Sequence, residues 1–392
     1  MRDAVIVDAV RTAVGKRNGS LAGVHPVDLS AHVLQALVDR TGLDPALVDD
    51  VVWGCVSQTG EQAVNVGRNA VLAAGWPESV PGTTIDRQCG SSQQAAHFAA
   101  AAVMSGQCDV VVAGGVESMS RVPMLCTVTQ GPGVPFGPRM TERYAPPNGR
   151  GLVPQGISAE LIAQRWGVTR EQADRIALRS HERAAAAIDE GRFKREIAPI
   201  EVDDPEGGGT RVFDTDEGVR RGGTLETLGA LKTAFLDDGI VTAGNSSQIS
   251  DGAAALLVTT SDRARELGLK PLARFHSFAL AGVDPVTMLT GPIPATRRVL
   301  DRAGLRLADI GAFEVNEAFT TVVAAWQAEI GADPALVNPN GGAIALGHPL
   351  GGSGARLMTT LVHHMSERGI RYGLQTMCEG GGLANATILE LL

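Results

Sequence analysis

The sequence predicts an α/β protein of two similar halves, with a further segment inserted between them. Three observations indicate this: strand-like and helix-like segments alternate at both ends of the chain, the last third repeats the pattern of the first, and residues 121–245 break that pattern. Such alternation is typical of sheets covered by helices. At 392 residues, the chain is long enough for more than one domain.

The first half begins with Ala4–Val10, which alternates as a strand, and with apolar residues at helical spacing from Val27 to Arg40. DVVWGCV predicts a second strand. The alanine-rich run SSQQAAHFAAAAVMS predicts a helix that stops at Gly106, and DVVVAGGVESM predicts a strand that closes on glycines.

The inserted segment opens with a stretch dense in Pro and Gly, continues through two helical patterns and contains the polar loop DDPEGGGTRVFDTDEG. From SQISDGAAALLVTT onward the strand–helix alternation returns. We therefore expect an N-terminal half at residues 1–120, completed by about 246–270, a loop domain at 121–245, and a C-terminal half at 271–392.

An internal duplication accounts for the likeness of the two halves. CGSSQQAAHFAAAAVMSGQ and CDVVVAGGVES give a glycine turn, a helix and a strand ending in glycines. GHPLGGSGARLMTTLVHHMSERG and YGLQTMCEGGGLANATILEL repeat that order. If the halves pack about a pseudo-twofold axis, Cys89, His348 and Cys378 converge from distant positions.

Charge and cysteine content exclude several classes of protein. The net charge of −9, without blocks of like charge, argues against a nucleic-acid partner. Five widely spaced cysteines without a CxxC pair support neither disulfides nor a zinc site, so we expect a reducing cytoplasm. No run reaches transmembrane length, and we expect no membrane association.

Cys89 lies just before the alanine-rich helix. Backbone N–H groups at a helix N-terminus and the helix dipole favour a thiolate, so we expect a lowered pKa and a nucleophilic thiol. The alternative is a small buried packing residue, which is what an isolated free cysteine usually is.

Neighbouring chemistry decides between these alternatives. His348 lies in a turn between Gly347 and Pro349, which is an unusual place for a core histidine, whereas His97 on the alanine-rich helix fits core packing. Cys378 ends a strand before three glycines, where a ligand can approach backbone N–H groups closely.

The segments DRQCGSSQQA, VNEAF, NGGAIALGHPLGGSGA and CEGGG, in this order and at these separations, resemble the thiolase family of acyl-CoA C-acyltransferases. The resemblance covers essentially the whole chain. It implies two α/β halves with mixed five-stranded sheets, five layers in the order αβαβα, a loop domain over the active site, and assembly as a homodimer or homotetramer.

The resemblance also implies roles for individual residues. Cys89 matches the acyl-carrying nucleophile, His348 its base, and Cys378 the cysteine that moves a proton to or from the second substrate. Asn316 matches the asparagine that holds a water in one oxyanion hole with His348. The N–H groups of Cys89 and Gly380 match the other oxyanion hole.

Coenzyme A and acyl-CoA are then the expected substrates, and no permanently bound cofactor or metal is expected. Ser247 and Met288 match family positions beside the CoA or the acyl pocket, and Ala318 and Phe319 are expected there too. Because the CoA phosphates are negatively charged, we also expect a local basic patch in the inserted segment, where VRRGGTLETLGALK offers Arg220. Arg220 and Arg221 are equally compatible with solvated surface charges. Acyl-chain preference is expected to depend on residues 121–150.

The CEGGG motif with Glu379 looks more like degradative 3-ketoacyl-CoA thiolases, and several segments resemble actinobacterial members, some of which act on steroid-derived acyl-CoAs. A biosynthetic acetoacetyl-CoA thiolase is the main alternative. A ketoacyl synthase is disfavoured by Cys378, and a non-catalytic acyl-CoA or lipid carrier by the retention of all four reactive residues.

Overall fold

The computed structural model describes residues 2–146, 151–204 and 207–392. The strands are β1 (Val5–Arg11), β2 (Gly15–Lys16), β3 (Asp50–Gly54), β4 (Gly82–Ile85), β5 (Val110–Ser118), β6 (Ile200–Asp203), β7 (Thr210–Phe213), β8 (Ser250–Thr259), β9 (Ala273–Gly282), β10 (Ala312–Val315), β11 (Tyr372–Glu379) and β12 (Leu383–Leu391).

The α-helices are α1 (Pro26–Thr41), α2 (Val66–Ala73), α3 (Ser91–Ser105), α4 (Cys126–Thr129), α5 (Pro138–Tyr144), α6 (Gln155–Trp166), α7 (Arg170–Asp189), α8 (Leu225–Gly229), α9 (Ser261–Glu266), α10 (Pro292–Ala303), α11 (Thr320–Ile330), α12 (Ala343–Leu346) and α13 (Ser353–Arg368). No helix in the described part of the chain is both long and apolar enough to cross a membrane.

The order of strands repeats in the two halves. The first half runs β4-β3-β5-β8-β1 and the second β10-β11-β12-β9, and two residue pairs join β1 to β9 edge to edge. In each half the two strands nearest this seam pair antiparallel, and β3–β5 and β10–β11 are the matching parallel pairs.

The mixed five-stranded sheet is present in the first half, where β2 adds a short extension to β8. In the second half, the place of β4 is taken by a single parallel bridge between Phe313 and Val337. A longer strand is blocked because Asn338 has a positive φ of 48° and Pro339, which follows it, has no N–H to donate.

The apolar core is arranged in layers that match this order. One cluster joins α1 and α2 to the first half of the strands, and another joins α10 and α11 to the second half. Between them, α3 and α13 share a cluster with strands of both halves, including Leu256 of β8 and Leu389 of β12. The five-layer αβαβα arrangement follows from these three clusters.

Helices α3 and α13 approach each other most closely at their N-termini. A Cβ on Gly354 would lie 2.2 Å from the backbone nitrogen of Gln93, so only glycine fits this contact. Ala355 N–H donates to Ser92 Oγ (2.9 Å) across the same contact. The turns that precede the two helices carry Cys89 and His348, so this contact fixes the spacing of the site.

The predicted secondary structure is confirmed in both halves, with boundaries shifted by one or two residues. The alanine-rich helix ends at Ser105, and Gly106 caps it in the left-handed conformation, as its sequence indicates. His97 is buried and stacks on Phe278, with Nε2 2.7 Å from Thr387 Oγ1. It is a core residue, as predicted.

Candidate active site

Cys89 lies in a tight turn between β4 and α3. Gln88 has a positive φ of 48°, and its carbonyl accepts hydrogen bonds from Ser91 N–H (3.0 Å) and Ser91 Oγ (2.6 Å). Gly90 N–H donates to Arg87 C=O (3.1 Å). The N–H groups of Gly90 and Ser91 are therefore used by the turn itself, and Cys89 is 5% exposed.

The expected low pKa of Cys89 is wrong for this arrangement. Burial raises the pKa of Cys89 to about 12, and Glu379 and Glu117 add to the effect when they are ionised. The N–H groups of Cys89 and Gly380 act on the thiol in the opposite direction but do not compensate. Burial therefore favours the protonated thiol at neutral pH.

His348 is held by its backbone and by its ring. Gly347 has a φ of +98° and packs against Ser250, whose Oγ accepts the His348 N–H (3.1 Å). His348 Nδ1 lies 2.6 Å from Ser353 Oγ, and that hydroxyl donates its one hydrogen to Pro349 C=O (2.8 Å). Since the hydroxyl must then accept, Nδ1 carries the ring hydrogen and Nε2 is left with its lone pair.

Asn316 faces this lone pair. Its Nδ2 lies 3.4 Å from His348 Nε2, and its Oδ1 is buried without a hydrogen-bond partner in the described residues. Burial, together with the positive charge of Arg356, lowers the pKa of His348 to about 3, so the ring is neutral. The pair presents an unprotonated ring nitrogen and an unpartnered amide oxygen side by side.

Cys378 is the penultimate residue of β11 and is 1% exposed. Burial raises the pKa of Cys378 well above the ordinary range, and charge on Cys89 is the next largest cause. The end of β11 packs against the turn that carries Cys89, because a Cβ on Gly380 would lie 3.0 Å from Gln88 Oε1. The N–H of Gly380, two residues further on, acts on the Cys89 thiol. The structure therefore joins Cys89 to Cys378 and Gly380, and His348 to Asn316. Among the described residues, no hydrogen bond links Cys89 to His348.

Comparison with known proteins identifies the family. Residues 4–262 match the family model "Thiolase, N-terminal domain", and residues 269–391 match "Thiolase, C-terminal domain". The chain belongs to the thiolase family. The resemblance inferred from its motifs is confirmed.

Among the relatives of this thiolase is the steroid 3-ketoacyl-CoA thiolase FadA6 of Mycobacterium tuberculosis, 52% identical over 100% of this chain and 95% of that protein. A 3-ketoacyl-CoA thiolase of Bacillus subtilis is 45% identical over the full length of both. The crystal structure of a Bacillus anthracis acetyl-CoA acetyltransferase superposes with a TM-score of 0.91 at 40% identity, covering 100% of this chain and 99% of that one. The thiolase fold is therefore confirmed.

Most of the residues expected beside the CoA or acyl pocket gather around Cys378. Met288, Ala318 and Phe319 form one apolar cluster with Cys378, to which α6 of the inserted segment contributes Ile162. The N–H of Ser247 donates to Ala318 C=O (2.9 Å), which attaches the Ser247 loop to this cluster. These positions are therefore grouped with Cys378, one of the two thiols.

Arg220 and Arg221 lie apart from that cluster in their described contacts. The backbone N–H of Arg220 donates to His181 Nδ1 (3.1 Å), and its side chain is exposed. Arg221 makes a bidentate surface ion pair with Asp189 at 2.7 and 2.8 Å. The surface-charge interpretation therefore fits Arg221, whereas the Arg220 side chain is open to an anionic ligand.

Of residues 121–150, the last four lie outside the described residues. The remainder carries several exposed apolar side chains: Met124, Leu125, Val134, Phe136 and Met140.

Among the described residues, no group of three or more His, Cys, Asp or Glu side chains is arranged to hold a metal ion.

Two contributors to the site were not singled out from the sequence. Ser353 fixes the His348 tautomer, and its signal was present as the hydroxyl five residues after the histidine in GHPLGGSGAR. Glu117, buried on β5, accepts the N–H of Gly351 (2.8 Å) and so anchors the His348 turn to the first half. Its place in the site depends on a contact 234 residues away along the chain, and no local pattern marks it.

Proposed function

We propose that the chain is a 3-ketoacyl-CoA thiolase, an acetyl-CoA C-acyltransferase that cleaves 3-ketoacyl-CoA with a second CoA. The observation that carries this proposal is the pair of buried thiols, Cys89 and Cys378, with the Gly380 N–H directed at the first. One thiol can hold an acyl group while the other carries a proton. The names of the relatives give the same reaction class.

In the first half-reaction, Cys89 Sγ attacks the 3-keto carbon and its proton passes to His348 Nε2. The N–H groups of Cys89 and Gly380 stabilise the oxyanion that forms. The C2–C3 bond then breaks, and its electron pair leaves as the enolate of acetyl-CoA. His348 and a water on Asn316 hold the thioester oxygen of that enolate, while Cys378 protonates its carbon.

In the second half-reaction, the Cys378 thiolate takes the proton of an incoming CoA thiol. The CoA sulfur attacks the acyl-Cys89 carbonyl, and Cys89 leaves and is reprotonated from His348. The products are acetyl-CoA and an acyl-CoA two carbons shorter, which predicts ping-pong kinetics. No step requires a resident cofactor, and CoA acts only as a substrate.

For substrate binding, we assign Met288, Ala318, Phe319 and Ser247 to the pantetheine and acyl side, because they surround Cys378. Arg220 is assigned to the CoA phosphates, since its guanidinium is exposed on the loop domain. The 52% identity to a thiolase named for steroids favours a degradative role with a bulky or chain-like acyl group. An acetoacetyl-CoA thiolase is the second candidate, supported by the similarity to an acetyl-CoA acetyltransferase.

We further propose an N-terminal half at residues 1–120, completed by about 246–270, a loop domain at 121–245 and a C-terminal half at 271–392.

A homodimer or homotetramer is proposed because the first half exposes large apolar side chains, Val64, Leu72 and Phe98. A cytoplasmic location is supported by five free cysteines. Light scattering of the purified protein tests the assembly.

The proposed reaction is tested by intact-protein mass spectrometry. The protein is exposed briefly to acetoacetyl-CoA or 3-ketooctanoyl-CoA without free CoA, and CoA is then added. We expect an acyl adduct on Cys89 that CoA discharges. The adduct should be lost in Cys89→Ala and kept in Cys108→Ala, a matched buried free cysteine. An adduct that persists in Cys89→Ala would overturn the assignment.

A further inference from the structure

Glu379 is a buried carboxyl that the reaction described above does not use. It is the last residue of β11, directly after Cys378, and its residue is 0% exposed. Neither carboxyl oxygen has a hydrogen-bond partner among the described residues. A buried polar group without a partner is costly to the fold, so packing alone does not account for a glutamate here.

The carboxyl lies against the turn that carries Cys89. A Cβ on Gly90 would be 2.1 Å from Glu379 Oε1, so the carboxyl contacts the Cα of the residue that follows the thiol. The same Cβ on Gly90 would lie 2.8 Å from Asn385 Nδ2, but this amide donates to Gly90 C=O (3.1 Å) and not to the carboxyl. Glu379 is thus held at van der Waals contact with the Cys89 turn and without a donor.

Two charged groups in the described part of the chain act on Glu379. Arg87 and Asp86 come from the loop before α3, and Arg87 Nε is itself buried without a partner in the described chain. The charge of Glu379 in turn acts on the thiols of Cys89 and Cys378, and Glu117 on β5 also acts on Cys89. Burial outweighs the charge of Arg87 and raises the pKa of Glu379 to about 8.

We propose that Glu379 is a positioning residue that holds a proton against the Cys89 turn, and that losing this proton suppresses ionisation of Cys89 and Cys378. Two like charges in a buried site disfavour each other, so a neutral Glu379 is the state compatible with thiolate chemistry. The inference rests on the proposed role of Cys89 as the nucleophile.

The test is the rate of Cys89 alkylation by iodoacetamide, measured by peptide mass spectrometry from about pH 6 to pH 10 on folded protein. In the wild type, the rate should rise with pH. Near pH 8, where Glu379 ionises, it should fall below the line expected for a thiol of constant pKa. Glu379→Gln keeps the shape but cannot ionise. Its rate should match the wild type below pH 8 and exceed it about tenfold near pH 9.5, which corresponds to one pKa unit.

Two further variants separate this effect from a structural one. Glu379→Asp retains a carboxyl and should keep the bend. Glu314→Gln alters another buried carboxyl without partners in the described chain, one that does not act on Cys89, and should leave the profile unchanged. Superimposable profiles of wild type and Glu379→Gln would overturn the proposal, as would a Gln variant that is slower at every pH.

The alkylation profile does not depend on turnover, so it is read independently of the acyl adduct. If Cys89 takes up no acyl group but the Gln variant shifts its alkylation, the nucleophile assignment fails and the electrostatic role of Glu379 stands. If the adduct forms and the profiles coincide, the proposed function stands and the role of Glu379 fails.

Discussion

The contact between α3 and α13 predicts a large effect from one added methyl group. In Gly354→Ala, the new Cβ would lie 2.2 Å from Gln93 N, whereas ordinary contact begins at 3.4 Å, so the helices must separate by about 1.2 Å. Gln93 N belongs to the backbone of α3 and cannot rotate away. The strain is expected to destabilise the protein by about 1–3 kcal/mol, as overpacked cores do.

The same displacement acts on the active site. Cys89 lies four residues before Gln93, and His348 lies six residues before Gly354, so the two turns move apart with their helices. A misplacement of about 1 Å can cost roughly 10²-fold in rate, because the reacting groups lose their alignment. We expect kcat/KM for thiolysis to fall by about that factor while the protein remains folded at 25 °C.

The assay is thiolysis of acetoacetyl-CoA by protein whose fold is verified by circular dichroism, together with its thermal unfolding temperature. Gly229→Ala is the matched control, because its Cβ would meet nothing within 4 Å and its φ is not in the left-handed region. A Gly354→Ala variant with activity within twofold of wild type and an unchanged unfolding temperature would refute the reasoning.

Three further results are expected. Arg11→Met should lower the free energy of unfolding by about 3–5 kcal/mol, since it leaves two buried carboxylates without their cation, whereas Arg265→Met on the surface should change it by less than about 0.5 kcal/mol. Burial opposes ionisation of Glu390, yet hydrogen bonds from two arginines lower its pKa to about 2. The ionised carboxylate therefore stabilises the folded state fully above pH 4.5, and this contribution is lost as the pH falls towards 2. Glu390→Gln should make the unfolding temperature depend less on pH in this acid range. Cys378→Ala should still acylate Cys89 slowly but lose thiolytic turnover, and full turnover would contradict its role.

Much of this fold can be predicted from the sequence because single segments carry the signals for their own helix or strand. Alanine content and Gly106 define α3, and β-branched runs define β3 and β5. The reduced fifth strand of the second half was not predicted. It depends on the conformation of Asn338, which is fixed by contacts of its side chain with Val315 and Glu317 far back in the chain.

In the candidate site too, the residue positions can be predicted from local motifs, whereas properties set by contacts between distant residues cannot. Cys89, His348, Cys378 and Asn316 stand in motifs that are visible in the sequence, but their ionisation is not. The helix terminus suggested a thiolate at Cys89, whereas burial by elements that are distant in the chain sets the opposite direction. Burial outweighs the local dipole here because a thiolate that is removed from water loses its hydration.

This reversal constrains how the proposed reaction begins. With the pKa of Cys89 at about 12 and that of His348 at about 3, the resting pair is a neutral thiol and a neutral imidazole. A preformed ion pair is therefore not the ground state, and the proton must move as the sulfur attacks. Negative charge then develops on the carbonyl oxygen between the N–H groups of Cys89 and Gly380, where the site stabilises it, rather than on a waiting thiolate. A neutral thiol before substrate arrives also limits loss of the nucleophile to oxidants and electrophiles, since the thiolate is the reactive form.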